Sequence, residues 1–181
     1  MEALILFVFF GIYIAFRVIF GAKDSAWEKQ KKTFRKGLYL LKEGYREEAR
    51  TYFTQCSQRR PYESLPWVML GEICLMEDEN EKAVFYAQKA LRLDNTIAEA
   101  HMLMSKGLKA MGEYKAAFQM AKKAAWFGRK NADANLLAGH FYLETGDVEK
   151  GIRHLETAYA LSEEIESSLL RDNVTKRKNW K

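Results

Sequence analysis

The sequence predicts an all-α protein, on three observations. Only two prolines interrupt 181 residues rich in Ala, Leu, Glu and Lys, a composition that favours helix. No stretch shows the sustained apolar–polar alternation with turn signals that a sheet needs. Small residues recur at a spacing of 34, as at Gly37, Gly71, Ser105 and Gly139. With 48% hydrophobic and 29% charged residues the chain can bury one modest core, which excludes a disordered chain. The net charge of +5 is spread as 29 basic among 24 acidic residues and gives nucleic acid binding little support. Cys56 and Cys74 make no disulfide framework and lack metal-ligand spacing.

The first segment, ALILFVFFGIYIAFRVIFGA over residues 3–22, holds one charge, Arg17, in twenty residues, a length that fits the hydrocarbon core of a bilayer. A cleaved signal peptide would carry a basic start and a small-residue cleavage site, neither of which is present. A buried core helix is the weaker alternative, because three of the four residues Phe7 to Phe10 are phenylalanine and apolar residues surround the whole helix, as in a membrane span. The expectation is an uncleaved transmembrane anchor with a short linker over residues 1–24. Basic residues gather after it (Lys23, Lys29, Lys31, Lys32, Arg35, Lys36) and only Glu2 lies before it, so the expected topology is single-pass, N-terminus outside, remainder cytoplasmic.

After the anchor, SAWE at 25–28 reads as a capping box that starts a helix, and TIAE at 96–99 repeats the signal. Asn131 stands as an N-cap before another apolar run, and Gly44, Gly112 and Gly146 mark helix ends. These signals share one period. The turn phase holds Gly44, Asp78, Gly112 and Gly146; further small-residue phases hold Ala49, Ala83, Ala117 and Gly151, then Cys56, Ala90, Ala124 and Ala158. Each unit is therefore two short helices.

The pattern closely resembles the tetratricopeptide repeat (TPR) family, whose motif W-x2-L-G-x2-Y, followed by A, F, A and P, is matched best by Trp67, Leu70, Gly71, Cys74, Ala83, Ala87 and Ala90, with Phe53 and Pro61 in the first unit. The units fall at 30–63, 64–97, 98–131 and 132–165, within a repeat domain over 25–165. Departures are Thr33, His101 and Asn135 at the tryptophan position, Ser105 at the glycine, and Asn95, Arg129 and Glu163 at the proline. The resemblance implies an α-solenoid whose mid-helix glycines permit close approach within each helix pair, and a protein-binding concave groove lined by the first helix of each repeat.

The family's groove positions fall on Lys31, Phe34, Leu38, Leu41, Lys42, Leu65, Val68, Glu72, Leu75 and Met76 in the first two units, seven apolar of ten. In the last two they fall on Glu99, Met102, Lys106, Lys109, Ala110, Asp133, Leu136, His140, Leu143 and Glu144, four apolar of ten. Phe34, Leu38, Leu41, Val68, Glu72, Leu75, Met76, Met102, Lys106, Lys109, His140 and Glu144 are the candidate groove contacts, suited to an amphipathic helix or extended peptide with apolar anchors. Some of these side chains equally serve to pack neighbouring helices. The family's carboxylate clamp is not matched, because Phe34 and Leu38 stand where its first Lys and Asn belong.

Catalysis finds no support: His101, His140 and His154 lie in different units with no convergent acid, base or nucleophile. His140 and Glu144 are one helical turn apart, yet two ligands make no metal site and such pairs commonly just associate on a helix face. No cofactor, metal or small-molecule substrate is expected. The tail over 166–181 is expected to form a capping helix through Leu169, Leu170 and Val174, ending in the basic TKRKNWK, which either meets an anionic surface or frays into solvent.

The expected function is a membrane-anchored adaptor or scaffold that binds a protein partner, with a transient assembly or quality-control factor for membrane proteins as the alternative. The layout is similar to that of the bacterial lipopolysaccharide-assembly regulator, an N-terminal anchor followed by cytoplasmic repeats. That family's C-x-x-C metal module is absent here.

Overall fold

A computed structural model describes the chain over residues 27–178, with side chains over 27–166. The apolar run at 3–22, Ser25 of the first capping box and the chain end at 179–181 lie outside the described residues. No helix among the described residues is long and apolar enough to cross a membrane. The chain forms two compact units, Met1–Pro61 and Tyr62–Lys181.

Among the described residues the first unit is one helix pair, α1 (27–42) and α2 (Arg46–Arg59). Gly44, at φ +87°, reverses the chain between them. Its amide donates to the Leu41 carbonyl and the next amide, Tyr45, to Leu40, a Schellman turn that satisfies the carbonyls orphaned at the end of α1. Ala49, Phe53 and Cys56 are fully buried on α2. Phe53 lies across Gly37 and meets Phe34 edge to face at 5.4 Å. The Gln30 amide, buried at the start of α1, is satisfied by the Cys56 carbonyl.

The second unit stacks three pairs: α3 (Leu65–Met76) with α4 (Asn80–Leu93), α5 (Ala98–Ala110) with α6 (Tyr114–Phe127), and α7 (Ala132–Glu144) with α8 (Val148–Lys178). The same turn closes each pair. Residues 78, 112 and 146 take positive φ, and the amides that follow, Glu79, Glu113 and Asp147, reach back to Cys74, Leu108 and Tyr142. Asp78 does so at φ 59°, where the other turns use glycine.

Between the pairs the core is built from alanine. Ala83, Ala87 and Ala90 of α4 pack with Val68, Cys74, Ala100 and Leu103, and Ala117 and Ala121 of α6 pack with Val84, Leu108 and Phe141. Small side chains at these positions let helix axes approach closely, and the large ones interdigitate from the facing helix. Gly71 belongs to this scheme, since a Cβ there would collide with Leu103 Cδ2 and lie 3.3 Å from the Ala83 carbonyl oxygen. One repeat later Ser105 takes the glycine's place, fully buried, and its hydroxyl donates to the Ala117 carbonyl at 2.8 Å across the pair.

Two sequence expectations are corrected. TIAE does not cap α5: Thr96 donates from both its amide and its hydroxyl to the Asp94 carboxylate, and Ile97 occupies the N-cap position. The carboxylate two residues upstream captures the threonine before the helix begins. A separate capping helix does not form either, because α8 runs unbroken from Val148 to Lys178. Nothing between Ile152 and Lys178 is Gly or Pro, so no residue there favours a turn. Asn131 does cap α7, accepting from the Ala134 amide at 3.1 Å.

Candidate partner-binding groove

The second unit places α3, α5 and α7 side by side, and ion pairs between them identify the face they share. Lys106 reaches Glu72 at 3.4 Å and Lys109 pairs with Glu144, each joining the first helices of successive repeats. Lys109 also lies over the Phe141 ring, 4.9 Å from its centroid. At the N-terminal end of the face the Asn131 amide donates to Glu99 at 3.3 Å. Lys106, Lys109, Glu72 and Glu144 thus share one face of the three helices. They answer one another, however, and offer a partner little net charge.

Between the pairs, apolar side chains reach solvent. Leu65, Met76, Leu136 and Leu143 are exposed, and Leu75 is half-buried. Val68 and Met102 are not groove residues: Val68 is 1% exposed within the α3–α5 core and Met102 packs with Ala124 and Ala134. Their place on the first helix is as expected, but the next repeat covers them. His140 is exposed beside the Glu144 that Lys109 engages. In the first unit Leu38 is exposed, Leu41 half-buried, and Phe34 half-buried against Phe53. Leu65, Leu136 and Leu143 fall at groove positions by count, and it is their exposure that brings them forward.

Two of the residues at the tryptophan position, His101 and Asn135, carry a structural role. His101, 5% exposed, stacks on Phe127 and its Nε2–H donates to the Asn95 carbonyl at 2.9 Å. Burial holds its pKa below the ordinary histidine value, and Lys123 adds to the effect. Asn135, 4% exposed, donates from Nδ2 to the carbonyls of Asn131 at 2.9 Å and Arg129 at 3.3 Å, while its Oδ1 accepts from His154 Nδ1 at 3.0 Å. His154 also titrates low, chiefly because it is partly buried. The three histidines are dispersed, and no group of three metal-ligating side chains occurs among the described residues.

Comparison with known proteins agrees with this architecture. The family model described as tetratricopeptide repeat matches residues 34–63, 66–97 and 132–165, together more than half of the chain. Among curated proteins none matches significantly. Among solved structures, a thermophilic TPR protein of Thermus thermophilus superposes with a TM-score of 0.65 at 19% identity, over 74% of this chain and 75% of that one. MamA superposes with a TM-score of 0.59 at 18% identity, over 76% and 81%. A chain of the APC/C hetero-tetramer Cut9–Hcn1 gives 0.65 at 19%, over 74% of this chain and 26% of its own length. At such identities the likeness is one of fold. The 34-residue period, the recurring Schellman turns and the matched repeats together show that the chain belongs to the tetratricopeptide repeat family.

Proposed function

We propose that this chain is a membrane-tethered adaptor whose second unit holds a protein partner, as an amphipathic helix or an extended peptide, along the face of α3, α5 and α7. The observation that carries the reading is the combination of exposed Leu65, Met76, Leu136 and Leu143 with neighbouring charges already paired to each other. Such a face rewards apolar anchors and does not demand a charged ligand. The tether is the apolar run at 3–22, with the repeats on the cytoplasmic side as the flanking cations direct. Tethering raises the effective concentration of a membrane-bound partner, so modest intrinsic affinity suffices. The role is binding rather than catalysis.

The test is copurification of the full chain from detergent-solubilised membranes. Met76→Glu combined with Leu136→Glu sets unpaired charge against the partner's apolar surface, and the partner should be lost while circular dichroism stays unchanged. Because both side chains are exposed, folding should survive. Retention of the partner by the folded double variant would move the interface to another face.

A further inference from the structure

The first unit carries an excess of positive charge at one end. Its helices run antiparallel, so the start of α1 meets the end of α2: Gln30 bonds the Cys56 carbonyl and Arg60 covers Trp27. From that end exposed Lys29, Lys32, Arg35 and Lys36 run along α1 to its middle, where Lys36 lies over Tyr52, with exposed Arg59 at the end of α2, and α1 from 27 to 42 holds a single carboxylate, Glu28, which Lys31 engages. At the opposite end the charge is mixed, Glu43, Glu47 and Glu48 standing among Lys42, Arg46 and Arg50. Trp27 sits within the basic end, 39% exposed, with Lys31 4.9 Å and the Arg60 guanidinium 4.6 Å from its ring centroid. A one-sign field of this kind repels itself, and the pair's buried core of Ala49, Phe53 and Cys56 does not require it.

We infer that this end of the first unit is a headgroup-binding surface, seated on anionic phospholipid through Lys29, Lys32, Arg35 and Lys36, with Trp27 at the interface. Three features select lipid over an acidic protein. An exposed tryptophan gripped by cations has the amphipathic chemistry that suits the boundary between headgroups and hydrocarbon. Clustered lysines and arginines beside a membrane are drawn to anionic lipid within a Debye length of its surface. Trp27 also follows Ala22, the end of the apolar run, by five residues, and whatever their conformation these reach at most about 17 Å. The second and third features rest on the tether proposed above; the first does not.

The test incorporates the full chain into vesicles of phosphatidylcholine alone, or of phosphatidylcholine mixed with phosphatidylglycerol, and follows acylation of each lysine by a membrane-impermeant reagent. Lys29, Lys32 and Lys36 should react several-fold more slowly in the anionic vesicles, while Lys82 and Lys115 of the second unit report the nonspecific change. High salt should remove the protection, as should Lys32→Glu with Arg35→Glu, read at Lys29 and Lys36 with circular dichroism confirming the fold. Equal reactivity in both vesicles, with the chain incorporated, would overturn the inference, leave the tether standing, and assign the patch to an acidic protein surface. Protection by anionic vesicles without flotation on neutral ones would sustain the inference and overturn the tether. Failure of both flotation and protection would remove both.

Discussion

His101 donates from Nε2 to the backbone carbonyl of Asn95 across 2.9 Å, linking a departure from the family pattern at the start of one repeat to another at the end of the repeat before it. Asn95 stands where the family has proline and His101 where it has tryptophan. One repeat later the same exchange recurs, with Asn135 bonded to the carbonyl of Arg129. A proline stiffens the loop before a helix by limiting its backbone, whereas here a buried donor on the helix ties the loop down.

Donation from Nε2 leaves His101 Nδ1 buried with no hydrogen-bond partner, so protonating it is unfavourable in the folded state. The unfolded chain takes up that proton near pH 6.5 or so. Stability should therefore be fully present above that value and fall as pH drops from it toward the lower folded pKa, with His154 contributing in the same direction. Thermal midpoints between pH 7.5 and 5.5 or so measure this. His101→Asn keeps a donor and removes the titration, so its melting curve should depend less steeply on pH.

Asn135 organises the α6–α7 loop and receives the His154 proton, which makes it a buried hub. Asn135→Ala should cost about 1–3 kcal/mol, the range for leaving buried polar partners unsatisfied. Denaturant unfolding of the full chain in detergent would measure it, and a loss below about 0.5 kcal/mol would mean that water replaces the side chain.

Gly71→Ala should destabilise the chain by about 1–3 kcal/mol although alanine is the better helix former. The added methyl meets the Leu103 side chain, which can shift, and the Ala83 carbonyl, which belongs to a packed helix and cannot. Gly71→Leu should prevent the α3–α4 pair from closing. An alanine variant as stable as the parent would show that α3 and α4 can separate at no cost.

At the turn phase the prediction reverses sign between repeats. Gly112→Ala at φ +83° should lose about 1–2 kcal/mol, the cost of the left-handed region for an L-residue. Asp78→Gly removes that strain at φ 59° and should leave stability unchanged or raise it by up to about 1 kcal/mol, offset by the greater backbone entropy of glycine. Paired thermal melts decide both.

Much of the fold was legible in the sequence because its determinants are local or periodic. Glycine at three of the four turns reports a positive φ, alanines 34 residues apart report helix contacts, and Asn131 reports its own cap. The failures began where two signals competed for one group. Thr96 had a nearby carboxylate to bond, and the C-terminal segment had apolar residues for a cap but no residue to turn it.

Sequence by itself therefore determined the helix pairs, their spacing and the family, since backbone geometry and side-chain size act at each residue. Which face of a first helix stays open was decided by tertiary structure alone. Val68, Met102 and Leu136 hold one phase of successive repeats and are alike in chemistry, yet the first two are covered by the neighbouring repeat and the third is not. Likewise Lys106 and Glu72 are surface charges in the sequence and one ion pair in the fold. Helical phase states the direction a side chain leaves its own axis. Burial and pairing depend on what another helix, a full repeat away, brings to meet it.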